Sequence, residues 1–147
     1  MFQHLLVPID GTELSERAQQ ASLALAARLG ARITAFVAEP MTPLPHMGSH
    51  PSTYLRDSER HEQRTQEHAE AVLGKFRGWA EQQGVPFVGQ FERTDAVDDA
   101  IVRAAERAGC DLIVMATHGR GAFAEMLFGS HTKNVITRSK LPLLVLH

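Results

Sequence analysis

Two glycines and a serine in the last third of the chain have a spacing that could hold a phosphate group. Gly119 is followed ten residues later by Gly129, and Ser130 comes directly after it. A glycine lets backbone amides approach a ligand closely, and a helix N-terminus offers free N–H groups with a partial positive charge. The Ser130 hydroxyl would add a donor. Short glycine patterns also make ordinary turns, so spacing alone leaves a phosphate site and a simple turn as equal alternatives.

The charge of the surrounding segment favours an anion. Residues 117–140 contain four basic side chains against one acidic side chain, whereas the whole chain has a formal net charge of −2. The basic residues are Arg120, Lys133, Arg138 and Lys140, and the acidic residue is Glu125. The local field is therefore positive in the segment whose backbone could bind a phosphate.

Short apolar runs alternating with helical stretches must position this segment. The runs, typical of strands covered on both faces, are residues 4–9, 32–38, 86–91, 111–116 and 141–146. Helical spacing predicts four helices between them, the last at about 130–139. This alternation predicts an α/β fold with a parallel sheet and helices on both faces. Ligands bind such sheets beyond the carboxyl ends of the strands, here Asp10, Val37 to Glu39 and Ala116 to Gly121.

The first helix is predicted to bury a regular apolar face, with Ser15 as its N-cap and Gly30 as its C-terminal residue. That face consists of Leu14, Ala18, Ala21, Leu25 and Leu29. Thr94 or Asp95 is predicted to cap the third helix. Four prolines between Glu39 and about Ser52 predict a loop without regular structure.

Three strings of the sequence have a recognisable pattern. The chain opens with Leu6-Val7-Pro8-Ile9-Asp10-Gly11-Thr12, continues through Asp111 to Gly121 (DLIVMATHGRG), and ends with Lys140-Leu141-Pro142-Leu143-Leu144-Val145. Together they resemble the universal stress protein family, and the resemblance extends from Leu5 to Leu146. Nucleotide-binding members of that family carry G-x2-G-x9-G-[S/T]. This chain has Ala116 at the first glycine and matches the pattern at Gly119, Gly129 and Ser130.

The resemblance implies a fold and a set of binding residues. The implied fold is a Rossmann-like sheet of order 3-2-1-4-5, of the adenine nucleotide alpha hydrolase-like type. Asp10 would contact the ribose or adenine, Val37 would meet the adenine through its backbone, and Gly129, Ser130 and His131 would lie at the phosphates. The other implied site residues are Pro8, Met115, Ala116, His118 and Gly119.

The function implied is that of a stress-response or regulatory protein that binds ATP or a related adenine nucleotide such as AMP or ADP. A magnesium ion could accompany the nucleotide, with Asp10 as its best carboxylate. Catalytic residues are not expected, because the chain has neither a G-x-x-x-x-G-K-[S/T] loop nor a G-x-S-x-G turn. Two alternatives stay open: a dimeric interaction or signalling protein of the same fold without nucleotide, and a slow ATP hydrolase.

The last strand predicts how the chain assembles. Leu141 to Leu146 contains no charged residue, and the implied sheet order places it at an edge. An apolar edge strand is prone to aggregate unless it is covered. Pairing with the same strand of a second copy about a two-fold axis would cover it, so we expect a homodimer.

Composition excludes several classes of protein. A chain of 147 residues predicts one domain, 1–147, and a net charge of −2 argues against nucleic-acid binding through a basic field. No apolar run approaches the roughly 18–20 residues of a membrane span, and no signal peptide is recognised, so we expect a cytoplasmic protein. The single cysteine, Cys110, is expected to be a packed thiol. No metal site is predicted, because His61 and His68 lie about 10 Å apart along one helix.

Overall fold

A five-stranded parallel sheet lies between two layers of helices in the computed structural model, which describes residues 1–116 and 130–146. The strands are β1 (His4–Pro8), β2 (Arg32–Glu39), β3 (Phe87–Arg93), β4 (Leu112–Ala116) and β5 (Leu143–Leu146). The described helices are α1 (Glu13–Leu29), α2 (Pro51–Gln82), α3 (Val97–Ala108) and, numbered next, α4 (Ser130–Arg138). The strand order β3-β2-β1-β4-β5 confirms the order implied by the sequence.

Apolar side chains of the central strands fill the space on both faces of the sheet. Alternate residues of one strand point to opposite faces, so Leu5 packs with Phe76 of α2, whereas Leu6 packs in the cluster that contains Val135 of α4. All of these side chains are fully buried. Burial of a leucine or phenylalanine side chain stabilises a fold by about 1.5–3 kcal/mol. Both faces of β1 are therefore buried, as expected for a strand at the centre of the sheet.

The predicted buried face of α1 is wrong in part. Thr12 is the N-cap and accepts a hydrogen bond from the Ser15 N–H at 3.2 Å, so Ser15 lies inside the helix rather than at its start. The buried residues are Ser15, Ala18, Gln19, Ser22, Leu23 and Ala26, whereas Ala21 and Leu29 are exposed. Hydrogen bonds within the helix satisfy part of this polar face: the Gln19 amide nitrogen donates to Ser15 and Ser22 donates to the Ala18 carbonyl, whereas Oε1 of Gln19 has no partner among the described residues.

The other helix boundaries lie close to the predicted ones. Gly30 ends α1 in the left-handed conformation, as predicted, and Gly109 ends α3 in the same way. The N-cap of α3 is Ala96 rather than Thr94 or Asp95, although the Thr94 hydroxyl accepts a hydrogen bond from the Ala96 N–H at 3.0 Å. Thr94 therefore shapes the turn before the helix.

Helix α2 is longer than the sheet that it covers. Its 32 residues span about 48 Å. Its first buried residue is Thr65, whose hydroxyl accepts a hydrogen bond from Arg93 at the carboxyl end of β3. Residues 51–64 therefore extend past that end of the sheet. Residues 40–50 have no helix or strand, which confirms the predicted loop except at its ends, because Glu39 belongs to β2 and Pro51 begins α2. His61 bonds to the Pro40 carbonyl oxygen at 3.0 Å.

A polar cluster joins the strands at the opposite, amino end. The Asp111 carboxylate accepts hydrogen bonds from the N–H groups of Gln3 and His4. Burial opposes ionisation of Asp111, but these hydrogen bonds leave its pKa below the usual value. For His4, burial itself lowers the pKa, because it disfavours the charged ring. Nε2 of His4 lies 2.7 Å from the Thr34 hydroxyl. Cys110 is buried as predicted, and burial raises the pKa of its thiol to about 11.

Candidate functional site

The carboxyl ends of the three central strands lie side by side. The register pairs Pro8 with Phe36 and Leu6 with Ile113, which brings the end of β1 next to Val37 on one side and Met115 on the other. Val37 and Met115 are buried, whereas Pro8 and Ala116 are half-buried. These four predicted site residues therefore share one edge of the sheet, at the place where the strand order reverses.

Asp10 lies in the turn that leads from β1 into α1. Its Oδ1 accepts two hydrogen bonds from Thr12, from the backbone N–H at 3.0 Å and from the hydroxyl at 2.7 Å. The Asp10 N–H donates to the Ser15 hydroxyl at 3.2 Å. In the described part of the chain Oδ2 makes no hydrogen bond, and the side chain is exposed. One carboxylate oxygen of Asp10 thus shapes the turn that leads into α1.

A buried carboxylate ends β2 beside this turn. Glu39 is 6% exposed, and its Oε1 lies 2.5 Å from Nδ1 of His68 on α2. An ionised carboxylate only accepts hydrogen bonds, so the His68 Nδ1 is the donor. The other ring nitrogen, Nε2, lies against Gly11, where a Cβ would be only 3.2 Å away. No motif in the sequence indicates a role for the side chain of Glu39 or of His68 in the site.

Gly11 is required by its conformation and its surroundings. Its φ is +81°, and a Cβ there would lie 2.9 Å from Cγ2 of Val72. We expect Gly11→Ala to lower stability through both effects. Gly30→Ala is the matched control, because Gly30 also has a positive φ but a Cβ there would meet nothing within 4 Å.

The left-handed conformation alone should cost about 1 kcal/mol in Gly30→Ala. Crowding against α2 should add about 1–3 kcal/mol in Gly11→Ala. Urea unfolding of both variants measures the difference. An equal loss of unfolding free energy in the two variants would mean that α2 moves away from the loop at no energetic cost.

The N-terminus of α4 is attached to α3 by side chains. Nδ1 of His131 lies 2.5 Å from Oδ1 of Asp98, and the Asn134 amide donates to Oδ2 of the same carboxylate at 2.7 Å. Arg138, one turn further on, pairs with Asp99. The His131 ring therefore pairs with α3 through Nδ1 while its side chain is 62% exposed, whereas the family resemblance implies a position at the phosphates. These bonds fix the direction in which the first N–H groups of α4 point.

The structure describes only part of the predicted site. His118, Gly119 and Gly129 lie outside the described residues, and for Ser130 only the backbone position at the start of α4 is described. The residues brought together are Pro8, Asp10, Val37, Met115 and Ala116. Within residues 1–116 and 130–146, no three His, Cys, Asp or Glu side chains form a group that could hold a metal ion. No helix in the same residues is long and apolar enough to span a membrane.

Comparison with protein families and sequences gives consistent matches. The model of the universal stress protein family matches residues 1–147. The chain is 28% identical over 146 residues to universal stress protein MJ0531 of Methanocaldococcus jannaschii, covering 99% of this chain and 82% of that protein. It is 29% identical over 145 residues to a universal stress protein of Thermus aquaticus, covering 99% and 98% of the two chains.

Solved structures of similar fold include proteins with bound nucleotides. MJ0577, also from M. jannaschii, has a TM-score of 0.79 at 25% identity, covering 99% of this chain and 96% of that one. A universal stress protein in complex with cAMP has a TM-score of 0.68 at 23% identity, covering 99% and 97%. An Arabidopsis thaliana family protein with AMP bound has a TM-score of 0.64 at 14% identity, covering 98% and 90%.

Proposed function

Because this chain belongs to the universal stress protein family, we propose that it binds ATP or a related adenine nucleotide and uses occupancy of the site as a signal. The observation that carries the proposal is the shared edge formed by the ends of β1, β2 and β4, with Asp10 beside it. Members of the family in complex with cAMP and with AMP support an adenine nucleotide as the ligand.

Each part of the edge suits one part of the ligand. The backbone at Val37 can pair with the edge of an adenine ring, and Oδ2 of Asp10 can accept a hydrogen bond from a ribose hydroxyl. The first N–H groups of α4 can hold phosphate oxygens. If magnesium accompanies the phosphates, the exposed carboxylate of Asp10 after β1 could bind it, and the ion would neutralise phosphate charge.

The direct test is to identify and measure the ligand. Mass spectrometry of small molecules released from the purified native protein should show an adenine nucleotide. Titration calorimetry with ATP, ADP and AMP, with and without magnesium, should then give micromolar binding of at least one of them. Absence of any bound nucleotide and of any heat of binding would overturn the proposal.

Asp10→Asn should separate binding from stability. Asparagine keeps an oxygen for the two Thr12 donors, but it replaces Oδ2 with an amide that cannot accept from ribose. Nucleotide binding should weaken by about 1–3 kcal/mol, the size of a hydrogen bond to a charged group, with little change in unfolding. Thr12→Val is the control: it removes the hydroxyl that caps α1, so it should lower stability and leave affinity nearly unchanged. A loss of stability without a loss of affinity in Asp10→Asn would make Asp10 a structural residue only.

Signalling through occupancy requires a binding protein rather than a rapid enzyme. We propose that nucleotide turnover is absent or slow, and that the protein acts in the cytoplasm, where a single unpaired thiol such as Cys110 stays reduced. We also propose a homodimer formed through β5. Strand order places β5 at an edge of the sheet, and Leu144 on it is 36% exposed. A dimer without nucleotide, of the same fold, is the second candidate, favoured by Ala116 in place of the first motif glycine.

A further inference from the structure

We infer that His68 and Asp10 together recognise the two neighbouring hydroxyls of the ribose, and that Glu39 positions His68 for this contact. The inference rests on the proposed nucleotide site, and it adds the basis on which that site would distinguish ribonucleotides from deoxyribonucleotides. His68 would then be a specificity-determining residue supplied by α2.

The first observation is that the His68 ring is fixed by a buried charge. Glu39 is more than nine-tenths buried, and its contact with Nδ1 is 2.5 Å long. Burying a carboxylate is costly unless it is paired, so the ring is held where it satisfies Glu39. Nε2, the nitrogen that does not face Glu39, is an acceptor in a neutral ring and a donor in a protonated ring, and a hydroxyl group can bond to it in either state.

The second observation is the position of Nε2. Nε2 of His68 packs against Gly11, the residue that follows Asp10, and the His68 side chain is 50% exposed. Oδ2 of Asp10 has no hydrogen bond in the described part of the chain. Within residues 1–116 and 130–146, neither Oδ2 of Asp10 nor Nε2 of His68 has a hydrogen-bond partner, and both lie at the loop that follows β1. The vicinal hydroxyls of ribose are two adjacent groups, and each can form a hydrogen bond with one of these two atoms.

A purely structural role for His68 would be to neutralise Glu39. Such a role needs only Nδ1 and makes no use of the hydroxyls of a ligand. The two interpretations therefore differ in one measurable quantity, the ratio of affinities for AMP and its deoxy analogues. A site with polar groups built for a hydroxyl rejects an analogue that lacks it.

The experiment measures binding of AMP, 2′-deoxy-AMP and 3′-deoxy-AMP by calorimetry. Wild-type protein should bind AMP at least about tenfold more tightly than one of the deoxy analogues, the change expected from one hydrogen bond. His68→Phe keeps a ring of similar size but removes both nitrogens. It should weaken the binding of AMP by the same factor and leave the binding of that deoxy analogue unchanged. The ratio of the two affinities should therefore fall to about one.

Two further variants test the positioning role and the specificity of the effect. Glu39→Met should lower the affinity ratio as His68→Phe does. Glu39→Gln should keep most of the wild-type ratio, because the amide oxygen can still accept a hydrogen bond from Nδ1. His61→Phe is the matched control on the same helix. Nε2 of His61 bonds to the Pro40 carbonyl oxygen and not to the loop after β1. The affinity ratio of the His61→Phe variant should therefore equal that of the wild type.

The possible failures are distinguishable. If wild-type protein binds AMP but the ratio is the same in His68→Phe, His68 makes no hydroxyl contact and the inference is wrong. If wild-type protein binds none of the three compounds, the nucleotide site itself is wrong and the inference fails with it. Thermal unfolding of each variant verifies that it is folded under the conditions of binding.

Discussion

Gly129→Val is expected to lower the affinity for ATP to the level of adenosine, without changing the affinity for adenosine itself. Gly129 directly precedes Ser130, the first residue of α4, and lies outside the described residues. The family resemblance implies that Gly129 lies at the phosphates, so a valine side chain at this position should block their approach to the free N–H groups of the helix. Each hydrogen bond to a charged phosphate contributes about 1.5–3 kcal/mol, so loss of two of them would weaken ATP binding by at least about a hundredfold.

Adenosine makes the comparison specific, because it has the base and the ribose but no phosphate. Gly74→Val provides the matched control. It introduces the same side chain on α2, where a Cβ would meet no atom within 4 Å. Both affinities should stay at the wild-type level in this control. If Gly129→Val is folded and binds ATP normally, the phosphates do not lie at the N-terminus of α4.

The sheet could be predicted from the sequence because its signals are local. The runs at 4–9 and 111–116 are apolar on both faces, and Gly30 and Gly109 end the helices beside them. Strand order came from the family resemblance rather than from periodicity. The buried face of α1 was predicted wrongly because Gln19 and Ser22 look solvent-exposed by composition. In the structure both are buried, and the helix supplies acceptors for the Gln19 amide nitrogen and the Ser22 hydroxyl.

The candidate site could be predicted only where it follows the strand ends. Pro8, Asp10, Val37 and Met115 were identified through motif positions, and the register places them at one edge. Glu39 and His68 lie 29 residues apart, and Asp98 and His131 lie 33 residues apart. Their pairing depends on how far α2 and α4 rotate about their own axes when they pack. A charged residue at the end of an apolar strand, such as Glu39, is the one local sign that a partner is needed.

Leu144→Lys is expected to convert a dimer into a monomer at micromolar concentration. β5 ends the strand order, and its residues Leu143 to Leu146 are all leucine or valine. An edge of this kind has no charge to prevent pairing with another edge. Antiparallel pairing about a two-fold axis brings residues in the middle of the strand close to their counterparts in the other copy. Leu144 lies in the middle of the four-residue β5, so two lysines at this position would repel each other near the axis.

Leu144 is suited to this test because it is 36% exposed in the single chain, so lysine should not disturb the core. Val88→Lys is the matched control. Val88 is an apolar residue, 54% exposed, on β3 at the opposite edge of the sheet, and the same change there should leave the dimer intact. Sedimentation equilibrium of the three proteins measures the effect. A stable monomer of the wild type, or dimerisation abolished by Val88→Lys alone, would contradict pairing through β5, and the second outcome would move the interface to the β3 edge.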